Sequence, residues 1–128
     1  EGATKVFGGT MSAAVLYFRK DFIDKNANTV QALVNAFYKT LLWIDKATPE
    51  QIADNVPQGY WLGDKALYTK AVKANMQVYS RDGIVSEGSQ KRSISFLQQF
   101  DAEMAAAKFE PAKTFDDRCV KKAAAAIK

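Results

Sequence analysis

The chain has 128 residues, of which 48% are hydrophobic and 25% charged. That balance fits a single globular domain with a modest core and excludes a disordered chain. The net charge of +4 leans towards anionic partners, yet the lysines are scattered and Lys121-Lys122 is the densest cluster, too small for a nucleic-acid stripe. With no histidine and a single cysteine, Cys119, the chain excludes His-based triads, the usual zinc ligand sets and an intrachain disulfide. Cys119 lies between Arg118 and Val120 in a helical pattern and reads as a small half-buried hydrophobe. The longest apolar run, Ala13 to Phe18, is far too short to cross a bilayer. No basic segment followed by an apolar one opens the chain, so it is expected to be mature, cytosolic or a fragment.

In chain order, strand character is confined to the opening. Lys5-Val6-Phe7 is expected to be a short extended piece, broken by Gly8-Gly9, and Ala13 to Phe18 carries Val15, Leu16, Tyr17 and Phe18. No phosphate-cradling pattern follows the glycines, so they read as a turn or hinge. Asp21 to Asn26 predicts one helical turn. From Thr29, apolar residues at Val30, Leu33, Val34, Phe37, Leu41 and Ile44 define a helical stripe, with Asn28 as its N-cap; Leu42 and Trp43 widen it into the expected spine of the core. Thr48, Pro49 and Gln51 have the spacing of a capping box and predict a short helix ending before Pro57. An aromatic loop with Tyr60 and Trp61 follows. Asp64 then caps a helix whose predicted face is Leu67, Ala71, Ala74 and Val78. Ser80-Arg81-Asp82-Gly83 has type I turn chemistry. Ser86 or Ser89 caps the next helix, with Ile94, Leu97, Phe100 and Met104 as its buried stripe and Phe96 stacked on Phe100 one turn later. After Pro111, Thr114 to Asp117 has capping-box spacing ahead of an alanine-rich final helix.

The pattern thus predicts one or two strands and about five helices in one partial domain spanning residues 1–128. A lone strand leaves its backbone groups unpaired, and an almost continuously apolar one fits a sheet covered on both faces. The remaining strands of such a sheet are not in this sequence, and the chain is expected to be incomplete.

Four blocks in order, "AAVLYFRKDFIDKNANTVQALVNAFYKTLLWI", "ATPEQIADNVPQGYWLGDKALYTKAV", "YSRDGIVSEGSQKRSISFL" and "FEPAKTFDDRCVKKA", resemble the C-terminal part of ABC-importer solute-binding proteins of the nitrate, sulfonate and taurine type, a group that includes binders of the thiamine pyrimidine precursor. The resemblance implies an α/β type II periplasmic-binding-protein lobe, with Ala13 to Phe18 as its returning strand and with lobe two and the N-terminal strands absent. It implies capture of a small solute for a membrane permease by hinge closure, without catalysis, cofactor or nucleic acid. It places the protein in the periplasm, with the export signal in the missing part, and the orphan strand favours a strand-exchanged homodimer. Thr10 and Ser12 are the candidates for an anionic head group, and Tyr60 and Trp61 for a cleft wall; polar turn and core-edge cover are the alternatives for the two pairs. Arg81 reads as a surface ion pair or permease contact ahead of a ligand contact. The alternative function is a free-standing helical interaction module with exposed apolar helix faces as its partner surface. A small enzyme has the least support.

Overall fold

The computed structural model describes residues 2–127. It is built of helices: α1 (Gly2–Val6), α2 (Lys20–Lys25), α3 (Ala27–Lys46), α4 (Pro49–Asp54), a 3-10 turn (Gln58–Trp61), α5 (Lys65–Asn75), a second 3-10 turn (Met76–Val78), α6 (Glu87–Phe100), α7 (Ala102–Ala106), α8 (Pro111–Thr114) and α9 (Arg118–Ala126). Among the described residues there is no strand, so the expected α/β lobe with one or two strands is corrected to an all-helical unit. The physical reason is that a strand needs a hydrogen-bonded neighbour. Residues 13–18 have none: their backbone enters no hydrogen bond among the described residues. Lys5-Val6, expected to be extended, lies within α1.

The 20-residue α3 is the organising element, and α9 packs along it while α2 leads into it. Asn26, not Asn28, stands at its N-cap, and its side chain makes no capping bond there. Val30 and Ile44 are buried near the two ends of α3, whereas Leu33, Phe37 and Trp43 from the predicted stripe stay exposed. Gln31 ties the helices together: its Nε2 donates to the Cys119 carbonyl at 2.9 Å and to Asn35 Oδ1 at 2.8 Å. Ala123 on α9 is fully buried, so a methyl side chain sets how closely the alanine-rich helix can approach.

A second layer is formed by α4 and α5. Thr48 and Gln51 form the predicted reciprocal capping box, with Pro49 in the first turn. Asp64 Oδ1 accepts from the Leu67 N–H at 2.8 Å, which starts α5 as expected. Ile44, Ala47, Ile52 and Val72 make the core cluster, flanked by the half-buried Tyr68 and Met76. The buried face of α5 is therefore Tyr68, Val72 and Met76; Leu67, from the predicted face, is 63% exposed, and Val78 beyond the helix is 68% exposed. Both sets have helical spacing, and only the position of α4 decides which one is covered.

On α6, Ser86 is the capping residue, its Oγ accepting from the Ser89 N–H. The helix stops at Asp101, whose Oδ1 caps α7 through the Glu103 and Met104 N–H groups at 2.9 and 3.0 Å. The predicted stripe from Ile94 to Met104 is thus divided between two helices, and Phe100 ends 75% exposed. The Thr114–Asp117 capping box does not form: Arg118 N–H is held by Asp116 Oδ1, and Asp117 pairs with Lys121.

Candidate interaction surface

Of the four residues singled out for ligand binding, Thr10, Ser12 and Trp61 find protein partners, in two different places, while Tyr60 is 66% exposed. Ser12 donates its backbone N–H to Ser89 Oγ at 3.0 Å, and the two hydroxyls are 3.1 Å apart. Arg92 Nε donates to the Thr10 carbonyl at 2.8 Å. Residues 10–12 are thereby laid across the start of α6, and Ser89 is buried beneath them. Gly9 is needed for this crossing, since at φ +147 a β-carbon there would stand 2.7 Å from Arg92 Cζ. Tyr60 and Trp61 lie on the 3-10 turn beside α5 instead. Trp61 Nε1 donates to the Ala53 carbonyl at 3.1 Å, and Lys65 Nζ sits 5.0 Å from the Trp61 ring centroid. The Thr10 carbonyl, Ser12 and the Trp61 ring thus anchor loops to neighbouring helices.

Arg81 is an ion-pair residue: Nη1 meets Asp45 Oδ1 near the end of α3. In the turn that carries it, Ser80 Oγ accepts from the Gly83 N–H at 2.9 Å and Asp82 Oδ1 accepts from the Ile84 N–H at 2.9 Å. Two carboxylates have shifted acidity, both lowered, and both lie on the outer surface. Glu87 is lowered by hydrogen bonding and charge from Lys91, Asp116 chiefly by its hydrogen bonds from Arg118. Neither lies among converging nucleophiles. Among the described residues, no cluster of acidic or cysteine side chains is arranged to hold a metal. Among those residues too, no helix is long and apolar enough to cross a membrane.

What the surface does display is apolar. Val15, Leu16, Tyr17, Phe37, Leu62, Leu67, Val78, Leu97 and Phe100 are all exposed, while the buried apolar set consists mostly of alanine and medium aliphatic side chains. Aromatic rings line an open hollow of about 390 Å³ between the N-terminal segment and α6. Phe7 meets Phe96 edge-on at 5.1 Å and Phe96 meets Phe100 at 4.9 Å, with Lys91 and Arg92 at the rim. The sequence did point to the Phe96–Phe100 pair. It gave no sign that Phe100 would lie open beside a half-buried Phe96, because periodicity shows which residues share a face and not what covers that face.

No family model and no curated protein matches the chain. A solved structure of a protein from Bordetella bronchiseptica RB50 does, with a TM-score of 0.89 and 38% identity over 96% of this chain. The chain spans 39% of the length of that protein. The resemblance to solute-binding proteins is corrected accordingly: what the chain forms, and matches along nearly its whole length, is an all-helical unit, not a fragment of a binding-protein lobe.

Proposed function

We propose that this chain is a helical interaction module whose exposed apolar side chains form its partner-binding surface. The observation that carries this reading is the mismatch between what is buried and what is not. Phe37 and Phe100 are 55% and 75% exposed, while Ala53 and Ala123 are fully buried. Burying a large apolar side chain contributes about 1.5–3 kcal/mol, so covering several of these positions favours association against its entropic cost. Ion pairs such as Lys20–Asp24 and Lys91–Glu87 also lie on the protein's surface. Being exposed, they add little affinity and mainly discourage indiscriminate association.

The solute-capture expectation lacks comparable support, since Thr10 and Ser12 are engaged by α6 and Tyr60 and Trp61 stand beside α5. Photo-crosslinking in the source cells tests the module reading. A benzophenone side chain at Phe37, Leu97 or Phe100 is expected to give one discrete protein adduct, and the same group at the exposed Lys46 none. Absence of adducts from all three apolar positions, or equal adducts from Lys46, overturns it.

A further inference from the structure

We infer that residues 7–12 are a displaceable strap, which occupies part of the partner surface on α6 and gives way when a partner engages; this rests on the module reading and adds a control to it. The strap is fastened to α6 at three points. Phe7 meets the Phe96 ring edge-on at 5.1 Å, Arg92 Nε donates to the Thr10 carbonyl at 2.8 Å, and the Ser12 N–H donates to Ser89 Oγ at 3.0 Å. Each fastening depends on a side chain of α6. Among the described residues, no hydrogen bond between main-chain groups joins residues 7–12 to that helix. The cover is also incomplete. Phe96 is half-buried, while Leu97 and Phe100 beyond it are exposed.

The flanking segments let the strap lift without disturbing the rest of the fold. Before it stands the five-residue α1, whose Lys5 and Val6 are exposed. After it, residues 13–18 enter no backbone hydrogen bond among the described residues, and Val15, Leu16 and Tyr17 are exposed. The core cluster of Ile44, Ala47, Ile52 and Val72 takes nothing from residues 7–12. A segment with so few buried contacts and main-chain bonds belongs to the part of a fold that opens most easily. Lifting it uncovers Phe96 beside Phe100, frees the Arg92 guanidinium and opens Ser89 to solvent.

The strap itself defines the chemistry of the occupant, since it supplies an aromatic ring to Phe96, a carbonyl to Arg92 and an N–H to Ser89. The partner is a polypeptide segment that offers the same three groups, with its ring seated in the hollow where Phe7, Phe96 and Phe100 meet. That ring takes the place of Phe7, so strap and partner exclude each other. A surface occupied by its own chain binds with an affinity reduced to the fraction of molecules that are open.

Locking and releasing the strap test this. The Ser12 and Ser89 hydroxyls lie 3.1 Å apart, so Ser12→Cys with Ser89→Cys can be closed by oxidation, in a Cys119→Ala background that leaves no other thiol. Phe7→Ala with Ser89→Ala releases the strap. A benzophenone side chain at Phe100 reports the partner in a source-cell lysate kept free of reductant. Relative to the parent chain, adduct is expected to fall about threefold or more when the strap is locked and to rise by a similar factor when it is released. If the cysteine pair does not close, the rise in the released chain decides. Equal adduct with the strap held and released overturns the strap and leaves the module reading standing; no adduct in any form overturns both. Hydroxyl-radical labelling of the purified chains needs no partner. Phe96 should be labelled severalfold more in the released chain than in the parent, with amide exchange in α3 unchanged; equal labelling of Phe96 in a folded released chain also overturns the strap.

Discussion

Gly83 has φ +71, and a β-carbon built there would stand 2.9 Å from Val120 Cγ2 on α9. The same β-carbon would lie 3.6 Å from Leu41 Cδ1, so the turn closes against both α3 and α9 at this point. Gly83→Ala therefore combines a left-handed backbone penalty of about 1–2 kcal/mol with a steric clash, and thermal unfolding should show destabilisation of at least that size. At the start of α4, Thr48→Ala removes both the hydroxyl acceptor and the geometry that lets Gln51 reach back at 2.8 Å. A loss of ~1 kcal/mol is expected in urea unfolding, with little change if Ser replaces Thr. The Asp116–Arg118 pair, closing at 2.7 Å, gives a pH signature. Hydrogen bonds from the Arg118 side chain and backbone hold the Asp116 carboxyl below the ordinary carboxylate range. A depressed acid stabilises the fold above its unfolded value and loses that contribution as pH falls through the folded one. The melting-temperature gap between the wild type and Asp116→Asn should thus be present at neutral pH and shrink as pH falls below the ordinary carboxylate range, remaining small because both groups are solvated.

At the scale of elements, the caps were legible in the sequence and the faces only in part. Thr48, Asp64 and Ser86 each cap a helix with the side-chain bond that their residue type implies. Capping is a local interaction, complete within four residues. The faces are not local. On α5 the alternative sets Leu67–Ala71–Ala74 and Tyr68–Val72–Met76 are offset by only one or two residues, and the choice between them belongs to α4. The apolar run at residues 13–18 misled for a related reason. Its composition is that of a strand, but a strand exists only through its neighbour, and none is present among the described residues. Where α9 meets α3, by contrast, the alanines have a direct structural meaning. Ala123→Leu would force a larger side chain into a fully buried position, costing ~1–3 kcal/mol by overpacking, measurable by chemical unfolding. The neighbouring exposed Ala124→Leu should change little.

For the whole molecule, the sequence carried enough helical signal to place the long elements but not to show how little of their apolar surface they cover for one another. The core cluster joins α3, α4 and α5, α9 adds its own contact with α3, and the outer faces of α3 and α6 keep Phe37, Leu97 and Phe100 in solvent. The candidate ligand residues were legible as polar or aromatic loop positions. The contacts they make, fastening residues 10–12 to α6 and the aromatic turn to Ala53 and Lys65, join residues far apart in the chain or in separate elements. The account stands on one claim, that this apolar surface is uncovered in the isolated chain and becomes covered on engagement. Hydroxyl-radical footprinting of the purified chain and of the chain inside its source cells measures this side chain by side chain. The account predicts strong labelling of Phe37, Leu97 and Phe100 in the purified chain and marked protection in the cells; equal labelling of all three in both would contradict it.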